Sequence, residues 1–255
     1  MPFKLKSRLS VEAPALGTFV FSNDPAMTEI AALAGFDFVI VDREHTAMSW
    51  REIIGHVRAA DAGGISVLVR TRGPDGDEVT HALDLGAEGV VIPHFGLERE
   101  RSISCVRSAR FAPMGDRGTC TGTRPGGFGL NNFARVVEES NRDALVVVQI
   151  EDVQVLPILD DLFKEVQVDA VMPGLADLST SLGKPGAFSD DEVIAAADAV
   201  FNSSTGAGLP MGFYVANAAE TARWSKRQAS FFVYAIDYKV VAEGYRNAVQ
   251  MLKGV

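Results

Sequence analysis

The sequence predicts a (β/α)8 TIM barrel of the α/β class, and three observations carry the prediction. At 255 residues the chain has the length that such barrels commonly fill, about 250 residues. Short β-rich runs recur along it, several almost continuously apolar, as strands buried on both faces of a parallel sheet are. Between them lie longer stretches with charges interleaved among apolar residues, the pattern of crossover helices. A doubly wound open sheet is the competing architecture. No linker or low-complexity tract divides the chain, so a single barrel domain over 1–255 is expected.

The strand runs fall in order. Thr18–Phe21 comes first and precedes a helical stretch at Pro25–Ala34. Asp37–Asp42 contains FVIVD and precedes Trp50–Ala60; Ile65–Arg70 contains VLVR and precedes Asp77–Leu85. Gly89–Pro93 reads GVVIP, with a helix expected over Glu98–Ala109. The next connection, Phe111–Asn131, mixes Gly, Pro, Thr and Arg without a helical period, and loops this long in compact domains are functional or disordered. Leu145–Glu151, Asp169–Gly174, Met211–Val215 and Phe231–Asp237 supply the remaining strands, with a helix at Asp190–Asn202.

The composition excludes several function classes. An apolar share of 47% allows a sizeable core, and a net charge of −9 argues against a sequence-independent grip on nucleic acid phosphates. Cys105 and Cys120 are too far apart for a metal knuckle and too few for a disulfide framework, which fits a reducing cytoplasm. The opening MPFKLKSRLS is basic but lacks an apolar h-region, and no apolar run approaches the roughly 18 residues of a spanning helix. A cytoplasmic protein with no membrane or nucleic-acid partner is expected.

In a barrel of this kind, polar residues at the carboxyl ends of strands are the candidates for chemistry. They are Asp42-Arg43-Glu44-His45, Arg70, Pro93-His94, Gln149-Ile150-Glu151, the segment Met172–Asp177, Asn217 and Asp237. Glu151 and Asp177 together suit Mg2+, which takes one or two protein carboxylates and leaves its other positions to water and substrate. No HxxxH or CxxC spacing favours zinc. The same residues also admit a plain structural reading, with Asp177 capping a helix at Leu178-Ser179 and Glu151 paired with an arginine.

The motifs DREH at 42–45, VLVR at 67–70, VVIPH at 90–94, VQIE at 148–151 and GLADLSTSLGKPG at 174–186 resemble, in order and separation, the HpcH/HpaI aldolase family. These are metal-dependent pyruvate aldolases, including enzymes for 2,4-dihydroxyhept-2-ene-1,7-dioate and 2-keto-3-deoxy sugar acids. The likeness runs from Gly17-Thr18-Phe19 to GFYVANAAETARW at 212–224. It implies a divalent metal (Mg2+, Mn2+ or Co2+) on Glu151 and Asp177 and Arg70 beside the keto oxygen of pyruvate. It further implies His45 supported by Asp42 as the acid/base group, Gln149 beside the metal-pyruvate site, and Gly174, Leu175 and Ala176 along the carboxylate pocket. A homo-oligomer, often a hexamer, is the family's assembly. Three departures bear on substrate preference: Leu175 where relatives carry Pro, Arg43 where DxEH motifs carry a small residue, and Asp152 where Thr is common.

The chemistry these residues would perform is a pyruvate enolate adding to an aldehyde, or the reverse cleavage of a 4-hydroxy-2-oxo acid. Arg70 places a permanent cation where negative charge develops. His45 exchanges protons near neutral pH, its tautomer fixed by Asp42. Glu44 would orient a neighbour or hold a water behind the ligands, and His94 is an ambiguous pocket candidate; His56 and His81 read as structural or exposed, and Cys105 as packing. Lysines 4, 6, 164, 184, 226, 239 and 253 avoid the strands, which argues against imine chemistry. The loops after strands seven and eight lack glycines for a phosphate cradle, so an unphosphorylated aldehyde is expected. Arg117 and Arg124 in the long loop are expected to meet that aldehyde, reaching the open face of another subunit. The alternatives are a carboligase of the same fold, as in citrate or macrophomate formation, and a non-catalytic barrel that binds a 2-oxo acid.

Overall fold

The computed structural model describes residues 5–9 and 12–254. Lys4 and residue 10 of the N-terminal stretch lie outside the described residues. The strands are β1 (Ala15–Val20), β2 (Phe38–Asp42), β3 (Ser66–Arg70), β4 (Gly89–Ile92), β5 (Leu145–Ile150), β6 (Ala170–Pro173), β7 (Gly212–Val215) and β8 (Phe231–Ile236). The helices are α1 (Leu5–Arg8), α2 (Ala26–Ala34), α3 (Trp50–Gly63), α4 (Gly76–Asp84), α5 (Arg99–Arg107), α6 (Phe133–Asp143), α7 (Leu159–Glu165), α8 (Leu175–Ser181), α9 (Asp191–Gly206), α10 (Ala218–Ser225) and α11 (Asp237–Lys253). Every strand pair is parallel, in the order β6-β5-β4-β3-β2-β1-β8-β7, and a parallel bridge between Val171 and Met211 brings β6 against β7. The result is a TIM barrel.

Two apolar layers hold it together. The inner layer fills the barrel with Phe19, Phe38, Ile40, Leu68, Val91, Val147, Met172, Phe231 and Val233, and Leu5 and Leu9 join it from the N-terminal segment. The outer layer, including Val39, Val41, Ile53, Val57, Val69, Val90, Val148 and Phe213, lies between strands and helices. Alternate residues of one apolar run therefore enter different layers, which is why FVIVD and VVVQI contain almost no polar residue. Fully burying each such side chain contributes about 1.5–3 kcal/mol.

Glycine makes the inner layer possible at two places. A Cβ on Gly17 would stand 2.3 Å from the Phe38 ring, and one on Gly212 would stand 1.9 Å from the Phe231 ring. The two rings meet edge to face at 6.0 Å. The expected first strand, Thr18–Phe21, begins instead at Ala15, because the glycine that breaks the apolar run is the one that accommodates Phe38.

Local signals position the helices behind the strand ends. Asp75 accepts the N–H groups of Asp77 and Glu78 to start α4, and Asp190 does the same for Glu192 at the start of α9. Gly35 and Gly64 end α2 and α3 in the left-handed conformation. The segment 111–131 holds no α-helix and only one turn of 3-10 helix, at Gly127–Gly129.

Candidate active site

The carboxyl ends of β2, β3, β4 and β5 bring one polar cluster together. Asp42 is fully buried, and its carboxylate organises the turn after β2: Oδ2 accepts the His45 N–H at 2.8 Å and Oδ1 accepts the Glu44 N–H at 3.3 Å. Oδ1 also accepts Arg70 Nε–H at 2.5 Å, across adjacent strands that pair Asp42 with Arg70. Asp42 thus supports His45 through its backbone amide. The tautomer-fixing contact expected between Asp42 and the imidazole is not what these hydrogen bonds provide. The His45 ring projects outward, its side chain 60% exposed, with Nε2 3.6 Å from Glu44 Oε2.

Arg70 is held from two sides. Its Nη1 lies 3.0 Å from Glu44 Oε2, and its guanidinium stands 4.7 Å over the Phe19 ring. From Glu44 the contacts continue: Oε1 lies 2.9 Å from His94 Nε2, and the His94 N–H donates to Glu151 Oε2 at 2.9 Å. Glu151 is 4% exposed, and its other oxygen accepts Gln149 Nε2–H at 2.8 Å. A chain Asp42–Arg70–Glu44–His94–Glu151 therefore runs around the mouth.

Charge in this chain is unevenly compensated. Burial pushes the Glu151 carboxyl up to about 7, and the nearby charges of Glu44 and Asp177 add to that, against the lowering effect of His94. Burial also acts to raise Glu44, but its hydrogen bond to His94 and the charges of Arg70, His45 and His94 outweigh it and hold it below the usual range. The Glu44 hydrogen bond raises His94 to about 8 against the effect of burial. Buried carboxylates in this condition gain from a cation placed among them.

The residues fit a divalent metal. Glu44, His94 and Glu151 offer ligand atoms within 4.8 Å of one another. Gln149 Oε1, buried beside Glu151, has no hydrogen-bond partner. Asp177 lies in the first turn of α8, exposed, outside that compact group but near enough for its charge to act on Glu151 and His94. Gly174 passes so close to Glu151 that a Cβ would sit 2.4 Å from Glu151 Cγ, and α8 begins at the next residue, Leu175. Glu44 and His94, a neighbour-orienting residue and an ambiguous pocket candidate by sequence, both stand inside the polar cluster. The rule that nominated Arg70, a polar residue after an apolar run, applies to both.

Several expected mouth residues serve the scaffold. Asp237 accepts the N–H groups of Phe21 and Ser22 at 3.0 Å each, and Asn217 caps α10. Arg43, expected to bear on substrate preference, is 3% exposed and bound elsewhere: it forms a two-pronged pair with Glu78 of α4, donates to Met48 O and lies 3.7 Å over Trp50. Asp152 caps the following 3-10 turn through the Gln154 N–H.

Arg117 and Arg124, expected at the aldehyde, are placed elsewhere in this chain. Arg117 is buried and donates to Asp84 at 2.6 Å; Arg124 pairs with Asp61. Those carboxylates lie at the C-terminal ends of α4 and α3, on the amino-terminal face of the barrel. Two helix ends in need of cations thus bind the loop's guanidinium groups.

The family model HpcH/HpaI aldolase/citrate lyase matches residues 15–243. A 5-keto-4-deoxy-D-glucarate aldolase from Escherichia coli is 29% identical over 251 residues, 98% of this chain and 95% of that protein. The HpcH/HpaI aldolase from Desulfitobacterium hafniense DCB-2 superposes with a TM-score of 0.92 at 32% identity, over 100% of this chain and 98% of that one. The citrate synthase SbnG superposes with a TM-score of 0.89 at 27% identity, over 98% of each chain.

Proposed function

The chain belongs to the HpcH/HpaI aldolase/citrate lyase family, and from that premise we propose a divalent-metal-dependent carbon–carbon lyase that makes or cleaves a 4-hydroxy-2-oxo acid through a pyruvate enolate and an aldehyde. The observation that carries it is the unbroken chain from Arg70 through Glu44 and His94 to the buried Glu151, a fixed cation and a buried carboxylate facing one mouth.

Glu151 and Asp177 would hold the metal, with Gln149 Oε1 as the spare buried acceptor beside them. The cation, Mg2+, Mn2+ or Co2+, supplies Lewis acidity that stabilises negative charge on the pyruvate oxygens. Arg70, unable to turn because Asp42 and Glu44 grip it, presents its guanidinium where that charge develops. His45 stands exposed at the rim, free to take a methyl proton and return one to the aldehyde oxygen. The Gly174–Ala176 backbone lines the pyruvate carboxylate pocket.

An unphosphorylated aldehyde suits the opposite wall. The N–H groups of Phe21 and Ser22 are already taken by Asp237, leaving no cradle there for a phosphate. Phe19, Phe21 and Tyr238 instead form an edge-to-face aromatic series beside Arg70. Assembly as a homo-oligomer is supported by α11, which exposes Tyr238, Val241, Tyr245, Val249 and Leu252. Among the described residues no helix is long and apolar enough to cross a membrane.

The test is a screen of unphosphorylated aldehydes with pyruvate and Mg2+, Mn2+ or Co2+, with products read by mass. Adducts of pyruvate plus aldehyde are expected; none with any pair would overturn the proposal. Similarity to the citrate synthase favours one added arm, a 2-oxo acid as electrophile, whose exclusive use would make the protein a carboligase.

A further inference from the structure

The position of His94 reaches beyond a two-carboxylate metal site. Its backbone is left-handed, φ 53°, although it is neither glycine nor part of a tight hairpin. Non-glycine residues hold that conformation where the surroundings over-determine it, and such sites cluster at function. Here the turn aims two groups of one residue at one carboxylate. The N–H donates to Glu151 Oε2 at 2.9 Å, and ring Nδ1 lies 3.3 Å from the same oxygen.

The other ring nitrogen, Nε2, lies 2.9 Å from Glu44 Oε1. An incoming cation displaces the Nδ1 proton, and an Nε2–H donated to Glu44 then leaves Nδ1 with its lone pair facing Glu151. Two lone-pair donors face each other favourably when a cation lies between them. Ligand atoms each about 2.1 Å from a shared ion, at right or tetrahedral angles, are separated by roughly 3.0–3.4 Å. The observed 3.3 Å falls in that interval. A histidine whose second nitrogen is held by a carboxylate is the usual support of a metal-bound imidazole. Gln149, 4% exposed, adds a buried Oε1 without a partner next to Glu151.

We propose that His94 is itself a ligand to the divalent cation of this mouth, through Nδ1, with Glu44 as the carboxylate that orients its ring. The inference rests on the metal-dependent reading above and adds one nitrogen donor to its oxygen set. Imidazole suits cobalt, nickel and zinc, whereas magnesium prefers oxygen and water. The site then discriminates among divalent ions through one residue.

Metal-free full-length protein titrated with CoCl2 and with MgCl2 tests this, by calorimetry and by the visible absorption of Co2+. His94→Asn is the main variant, since asparagine tolerates the left-handed backbone; His94→Gly replaces it if circular dichroism without metal shows misfolding. In His94→Asn, Co2+ affinity should fall about 10- to 100-fold with a changed visible spectrum, and Mg2+ affinity far less. Glu44→Gln should weaken Co2+ binding about tenfold. If Co2+ affinity and spectrum are unchanged in His94→Asn while Glu151→Gln abolishes binding, the inference fails and the metal site stands. If Glu151→Gln and Asp177→Asn both bind Co2+ as the native protein does, the metal reading itself is overturned.

Discussion

Asp42 and Arg70 are register partners on adjacent parallel strands, and the carboxylate of one grips the guanidinium of the other inside the barrel mouth. The pair is buried, with Asp42 fully excluded from solvent, so each side chain has a single orientation. A cation immobilised in this way costs no reorganisation when negative charge appears in front of it.

Arg70→Lys keeps the charge but loses the planar fork that Asp42 and Glu44 hold. Turnover should fall about 100- to 1,000-fold, the usual cost of removing one such stabilising donor. Steady-state kinetics with pyruvate and the best aldehyde check this; an unchanged kcat/KM would remove Arg70 from the account.

His45 makes no buried contact through its ring, so replacing it should disturb chemistry rather than folding. His45→Asn should lose about 100- to 10,000-fold in proton transfer while retaining pyruvate affinity. Equal loss of affinity and exchange would make it a positioning residue instead.

The barrel was largely legible in the sequence because parallel strands buried on both faces leave almost unbroken apolar runs. Asp42, His45, Arg70, Gln149 and Glu151 were legible too, as polar residues ending such runs. The relations among them were less so. The Glu44–His94–Glu151 contacts depend on a left-handed turn at His94 that no residue type announces. The pairing of Arg43 with Glu78 was not legible, because the two lie 35 positions apart on different elements. Arg117 and Arg124 likewise answer to helix ends that only the folded chain brings near them.

His56 of α3 is buried and hydrogen-bonded to Thr28 Oγ1 at 2.8 Å. Burial lowers its pKa below 6.5, against the opposing effects of Ser22, Asp237, Asp24 and Glu52. Below about 6.5 the unfolded chain binds a proton that the folded state resists, so stability falls as pH drops from there toward the folded value. Melting temperatures between pH 8 and 5 should decline more steeply for the native chain than for His56→Gln; parallel profiles would contradict this.

Gly212→Ala should destabilise the barrel by about 1–3 kcal/mol, because the added Cβ meets the Phe231 ring in a filled interior. Gly206→Ala, with open space around its Cβ position, is the control and should cost nothing measurable. Chemical denaturation of both variants checks the contrast, and equal midpoints would show that the inner layer yields.

Metal-dependent enolisation of pyruvate is tested most directly by exchange of the pyruvate methyl protons with D2O, followed by proton NMR without any aldehyde. Exchange should proceed with Mg2+, Mn2+ or Co2+, stop in excess EDTA and resume when metal is restored. Exchange that continues undiminished in EDTA, or that fails with all three ions, would contradict the account.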